Sequence, residues 1–195
     1  MNQVLIDVVI EGTTPLICNK FSDASLLGNG TTTVFRGDKG SPLEQATGKL
    51  YLGSDGKPVI PQPNLFRCII DAGTFFKAGK SKVTTQKTSL IPACIDIHGI
   101  ELPLKFKDAW TVDSRGVVIP STGGRIACHR PKFNDWSLAF TMDIDTSMIP
   151  VKLVREIVDA AGKRIGLGDF RPARKGPFGK FVVTHWKETI AARAA

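Results

Sequence analysis

The stretch from Gly162 to Trp186, GKRIGLGDFRPARKGPFGKFVVTHW, restricts the fold more than any other part of this chain. Before it, Val151, Val154, Ile157, Val158 and Ala161 recur at the spacing of a helix with one apolar face, and Pro150 suits the start of that helix. After it, Phe181, Val182 and Val183 read as an apolar strand. The connection holds five glycines (Gly162, Gly166, Gly168, Gly176 and Gly179) and six basic residues (Lys163, Arg164, Arg171, Arg174, Lys175 and Lys180), with Asp169 its one acid. Glycine lets a backbone take positive φ and approach a neighbour closely. Lysine and arginine supply the charge that phosphates recognise. The segment therefore predicts a polyanion, a nucleic acid, held against backbone between a late helix and a final strand. The purely local alternative is that Gly162, after Ala160 and Ala161, is a helix C-cap and the basic residues are a solvated loop.

Composition agrees with a globular domain that carries an excess of positive charge. The 195 residues are 42% hydrophobic with a formal net charge of +8, enough chain to bury a sizeable core. The excess is uneven: from Val151 onward ten basic residues face four acidic ones. A basic chain meets nucleic acid, an anionic membrane or an acidic partner. Nothing here reads as a lysine-faced amphipathic helix, a membrane-spanning apolar run or a basic-then-apolar leader, so no membrane partner is expected. Cys18, Cys68, Cys94 and Cys128 form no CxxC or CxxH pair, which argues against zinc. They read as small buried hydrophobes in a reducing compartment, with no cofactor or metal expected.

Residues 3–17 read as a first strand with a kink at Gly12. Residues 19–56 are rich in Gly, Ser and Thr and predict a long loop or hairpin inserted after that strand. Asp55 to Pro61 predicts a turn and a short extended segment, and Asn64 opens a helix to about Phe76 with Leu65, Cys68, Ile69 and Ala72 facing the core. Residues 77–89 form a second basic loop. Leu90–Ile97 and Ile100–Phe106 read as strands, and Trp110–Val112 and Val117–Ile119 as strands around a polar turn at Asp113–Gly116. Arg125, His129, Arg130 and Lys132 make a third basic cluster. Trp136 to Ile144 alternates apolar and other residues cleanly, as a strand does. Without its insertions the order is β-α-β-β-α-β, an α+β, ferredoxin-like arrangement shared with RNA-recognition modules, here with extra β-hairpins.

Two motifs give a resemblance. Asp55-Gly56-Lys57-Pro58-Val59-Ile60-Pro61, leading into a helix that carries Arg67, resembles the lead-in to the first helix in the repeat-associated mysterious protein superfamily, within it the Cas7-like backbone subunits of CRISPR effector complexes. Gln62-Pro63-Asn64 stands where that family has Gly-Ser-Ser. The glycine-rich run from Gly166 to Phe181 resembles the "GLGxxRPxxxGxFGxF" ending of compact phage- or prophage-encoded relatives. The resemblance implies a single Cas7-like domain over residues 1–195, a ferredoxin-like palm with residues 19–56 as its thumb. It also implies copies that stack as a homo-oligomer or filament along one strand, possible CRISPR effector subunits as partners, and a cytoplasmic location in a bacterial host cell.

The expected function is non-catalytic binding of single-stranded nucleic acid, RNA or DNA, which needs a basic groove and planar groups for stacking. The candidate residues are Lys20, Arg67, Lys77, Lys80 and Lys82; Arg125, Arg130 and Lys132; then Arg164, Gly166, Gly168, Arg171, Arg174, Lys175 and Lys180, with Phe170 and Phe178 for stacking. Two alternatives stand beside it. A metal-independent endoribonuclease would use His129, beside Arg125 and Arg130, as general base, or an acid in the thumb, Asp23 or Asp38. A mimic of a Cas7-like subunit would instead interfere with assembly of an effector complex.

Overall fold

The computed structural model describes residues 3–21, 40–118 and 123–190. Strand β1 (Gln3–Gly12) is followed by the short β2 (Leu16–Ile17) and, later, helix α1 (Pro42–Thr47). Strand β3 (Val59–Pro61) runs directly into α2 (Gln62–Ala72), then a 3-10 turn and the small hairpin β4 (Lys77–Ala78) and β5 (Ser81–Lys82). Helix α3 (Ile91–Cys94) leads to β6 (Ile95–Ile97) and β7 (Glu101–Phe106). A long hairpin, β8 (Thr111–Val118) and β9 (Arg125–Phe133), precedes β10 (Trp136–Asp145), α4 (Val151–Ala160) and β11 (Phe181–Ile190).

Six of these strands form one sheet in the order β11-β1-β10-β7-β3, with β6 also paired to β10 and every pair antiparallel. Its register follows from side-chain alternation. Ile6 lies opposite Met142, Val8 opposite Phe140 and Ile10 opposite Leu138, and all six are buried. A slip of one residue would turn every one of them to the other face, so the pattern itself fixes the pairing. Helices α2 and α4 cover that apolar face with Leu65, Cys68 and Ile69 from one and Val154, Ile157 and Val158 from the other. Burying each such aliphatic side chain contributes about 1.5–3 kcal/mol. Arg155 ties α4 to β11: its guanidinium lies 5.3 Å from the Trp186 ring centroid and donates to the Val183 carbonyl at 3.4 Å. The sheet's other face carries polar pairs, Thr141 to Asp7 at 3.0 Å and His98 to Asp143 at 2.8 Å.

Several elements differ from the sequence expectation, each for a local reason. The part of the insertion after residue 40 is not a loop throughout: Ser41 and Glu44 form a reciprocal capping box that starts α1. Leu90–Ile97 is not one strand, because Pro92 suits a first helical turn and Ser89 Oγ accepts from the Ile91 N–H. The polar run Asp113–Gly116 is not a turn but the middle of β8, paired in register with Ala127–Arg130. Gly162 is not a left-handed cap. The chain after α4 widens into a π turn over Ala161–Ile165, and the cap, at φ +76°, is Gly166.

Gly162 is required for close approach. A β-carbon there would collide with the Phe181 carbonyl oxygen and sit 2.7 Å from the Phe181 ring, at the start of a fully buried strand end. Gly162→Ala is expected to cost about 1–3 kcal/mol in urea unfolding. Gly116→Ala, with no atom within 4 Å of the added carbon, serves as the control and is expected to change stability by less than about 0.5 kcal/mol.

Candidate nucleic-acid interface

The glycine-rich loop is stitched to the turn between β1 and β2. Asp169 N–H donates to the Ile17 carbonyl at 2.7 Å, Gly179 N–H to Pro15 at 2.8 Å and Thr13 N–H to Lys180 at 2.8 Å. Within the loop, Leu167 N–H donates to the Gly179 carbonyl at 2.9 Å. Gly168, at φ +72°, lies so close to the Ile17 carbonyl oxygen that no side chain fits. Much of the glycine content thus serves the packing of this chain on itself. The space that the glycines open is filled by this chain's own backbone and not by a polyanion.

A buried ion cluster locks the loop to the second sheet, β2-β9-β8. Arg130 of β9, 5% exposed, donates to Asp169 at 2.7 Å and to Asp113 of β8 at 3.1 Å. Asn19 also donates to Asp169, at 3.1 Å. Burial opposes the Arg130 charge, but the hydrogen bond and charge of Asp169, with Cys128 and Asp113 adding to it, outweigh burial and hold its pKa above the ordinary value. Arg115 chelates Asp113 at 2.8 and 3.0 Å and lays its guanidinium 4.7 Å from the Phe178 ring centroid and 6.0 Å from that of Phe170. The two rings lie 6.0 Å apart.

These contacts correct part of the expected site. Arg130 gives both terminal nitrogens to carboxylates and is 5% exposed, so little of it faces solvent for a phosphate. Phe178 is buried under Arg115 and packs the loop rather than offering a stacking face. Phe170 is half-buried beside it, at φ +48°. His129 and Arg130, being neighbours on a strand, point to opposite sides, so they do not form the pair that a general base beside an arginine would need. His129 Nδ1 lies 2.7 Å from Ser114 Oγ instead. Asp23 and Asp38 lie outside the described residues.

What the fold does bring together is Arg67, Gly166, Gly168 and Arg171. They line one cavity of about 230 Å³ between the loop and the first turns of α2. Arg67 is 71% exposed and holds Asp71 through Nε at 2.8 Å. Arg171 donates to the Gly168 carbonyl at 2.9 Å. Other candidate cations do not line this cavity. Arg174 and Lys175 stand on the 3-10 turn at the loop tip, and Arg164 on the π turn lies 4.8 Å from the ring of the half-exposed Phe75. Lys77, Lys80 and Lys82 are exposed on the β4–β5 hairpin, which follows Phe75 in the chain. Lys20 and Lys180 are half-buried beside the stitched segments, and Lys132 half-buried on β9. Arg125 is exposed at the far end of the β8–β9 hairpin, opposite Val118.

Seven of the eleven lining residues are not among the site residues read from the sequence: Asn19, Tyr51, Asn64 and Asp169, with Cys18, Ile60 and Leu167. Asp169 had a signal, since a lone acid in a basic loop marks an ion-pair partner. Tyr51 and Asn19 had none, because they reach the cavity from the insertion and from the end of β2. Burial raises the Tyr51 phenol pKa, partly offset by a hydrogen bond with Asn64. Burial also pushes the Cys18 thiol up to about 12, so that wall of the cavity is a neutral one. Among the described residues no group of His, Cys, Asp and Glu could hold a metal ion, and no helix is long and apolar enough to cross a membrane.

No protein-family model matches the sequence, and no curated protein does. Solved structures do. A chain in a cryo-EM structure of the type III-B Cmr-beta bound to cognate target RNA superposes with a TM-score of 0.51 at 14% sequence identity. The match covers 98% of this chain and 62% of that one. The likeness is one of fold: a mixed α/β chain with antiparallel sheets.

Arg130→Met removes the cation that two carboxylates share and leaves Asp113, 6% exposed, without its buried partner. The expected loss is about 3 kcal/mol in urea unfolding, the low end for breaking a buried pair because Asp169 is 31% exposed. A change within about 0.5 kcal/mol would show that the cluster does not hold the loop.

Proposed function

We propose that this chain binds single-stranded nucleic acid, RNA in the first instance, without cutting it. The observation that carries the reading is the convergence of Arg67 and Arg171 on one cavity at the glycine-rich loop, the same connection that carries Arg164, Arg174 and Lys175 on its π and 3-10 turns. Two guanidinium groups in one place suit phosphates, and such contacts carry no base information, so binding is largely independent of sequence. The fold likeness to a chain of an RNA-bound complex points the same way.

The strand order β11-β1-β10-β7, with α2 and α4 on one side, supports reading the core as ferredoxin-like. RNA-recognition modules of that arrangement use the open sheet face and its aromatic residues. Here the open face presents the carboxylates of Asp7, Glu11, Asp96 and Asp143 in excess over Lys105, Lys187 and His185, and none of the chain's described aromatics is on it in register with them. Phosphates are disfavoured there, which leaves the loop end as the binding surface. Copies arranged side by side along a strand, as a homo-oligomer or within a CRISPR effector complex, extend the same reading.

The test is fluorescence anisotropy of labelled single-stranded RNA and DNA over a salt series. Binding is expected to weaken steeply with salt, and Arg171→Ala and Arg174→Ala are each expected to lower the log-log slope by about 0.7. Intact oligonucleotide after incubation is expected throughout. No binding of either strand at about 50 mM salt would sink the proposal, and defined cleavage products lost on His129→Ala would replace it with the nuclease reading.

A further inference from the structure

Phe75 follows helix α2 on the 3-10 turn Gly73–Phe75, beside a second phenylalanine, and its surroundings extend the binding reading on which this inference rests. Phe76 packs against the core, while Phe75 keeps 50% of its surface exposed. This is not the exposure of a loose loop. Gly73 is buried so closely on Thr84 that a β-carbon there would collide with Thr84 Oγ1. Phe76 N–H donates to the Gly73 carbonyl at 3.2 Å, and Val83 N–H donates to the Phe76 carbonyl at 3.1 Å. The turn is tied to the segment after β5, which holds the outward ring at a set place.

The chemistry beside the ring is cationic. Arg164, exposed on the π turn, lays its guanidinium 4.8 Å from the Phe75 centroid. Two residues after Phe75 the β4–β5 hairpin begins, and its register sets Lys77 directly opposite Lys82. Lys80 stands in the turn between these strands, after Gly79 at φ +61°. Like charges directly opposite on paired strands are destabilising, and strands of two residues have little else to hold them together. All three lysines are exposed, and among the described residues none of them forms an ion pair. An opposed lysine pair of this kind suits an anion that both ammonium groups share.

A single exposed phenylalanine is ordinary. One that carries a guanidinium on its ring and leads into an opposed lysine pair offers what a single strand uses, a planar group for a base and cations for its phosphates. A polyanion without bases would use the lysines and not the ring. An apolar protein segment would use the ring and gain nothing from the lysines.

We infer that Phe75 is a stacking residue: a base of the bound strand lies on its ring beside Arg164, and the adjoining phosphates lie on Lys77 and Lys82. The contact is separate from the loop cavity, whose lining includes none of these four residues. Arg164 precedes the cavity residue Gly166 by two positions, so the π turn joins the two places. Every base has a π face, so the contact does not choose among bases.

The experiment is fluorescence anisotropy of the full chain with labelled single-stranded RNA over a salt series, repeated with a strand of the same length that is abasic throughout. Phe75→Leu is expected to weaken binding of the intact RNA at least about five-fold and to leave the log-log salt slope unchanged. Phe75→Tyr, which keeps the ring, is expected to stay within about two-fold of the parent, and Lys82→Ala to lower the slope by about 0.7. On the abasic strand Phe75→Leu is expected to bind as the parent does. Aromatic NMR signals of the ¹³C-labelled parent chain give a second readout that needs no substitution: the Phe75 ring protons are expected to move upfield with intact RNA and to stay in place with the abasic strand. Equal losses on the intact and abasic strands, or no loss on either, would overturn the inference, as would Phe75 ring signals that ignore the intact RNA. If that happens while the parent still binds RNA, the stacking assignment alone falls; if the parent binds no RNA, the broader reading falls with it.

Discussion

One guanidinium group holds the glycine-rich loop of this molecule in shape. Arg130 reaches from β9 to Asp113 on β8 and to Asp169 in the glycine-rich loop, all but excluded from water. Desolvating that cation costs most of what its two partners return, so the cluster is a poor source of net stability. Its effect is geometric. With Asp169 pinned to Arg130 and its N–H bonded to Ile17, the loop cannot swing away from β2, and Arg171 is left facing α2 across a small cavity. Glycines that fit backbone against backbone at Phe181 and Ile17 complete the same task.

The pinned loop also sorts charge. Asp169, the one acid of the loop, is spent inside the protein, so its remaining charges are all positive. The open face of the main sheet holds carboxylates, two of them tied to Thr141 and His98. A net charge of +8 is therefore not smeared over the surface but weighted to the loop, the π turn and the small hairpin after α2.

Much of the scaffold was legible in the sequence because it is periodic. Trp136 to Ile144 and the apolar faces of α2 and α4 announce themselves at spacings of two and of three to four residues. The loop's importance was legible from its glycines and basic residues, but what those glycines do was not. Their neighbours, the carbonyls of Ile17 and Phe181, come from other segments that no local pattern connects. Asp113 reads as a turn former until its partner 17 residues away is known, and Arg130 reads as a phosphate ligand until Asp169, 39 residues away, is known. Tyr51 and Asn19 enter the cavity the same way, from elements that only the folded chain brings near. Local propensity locates elements; long-range ion pairs decide which charges remain for a ligand.

The central claim is that the loop end, and not the open sheet, meets the strand. Photo-crosslinking of a 4-thiouridine-containing single-stranded RNA, followed by mass spectrometry of the digested protein, tests it directly. Crosslinked peptides are expected from residues 60–67 and 162–180, with none from residues 5–9 or 139–143. Crosslinks concentrated on residues 5–9, 139–143 and 185–189 would contradict it and place the strand on the sheet.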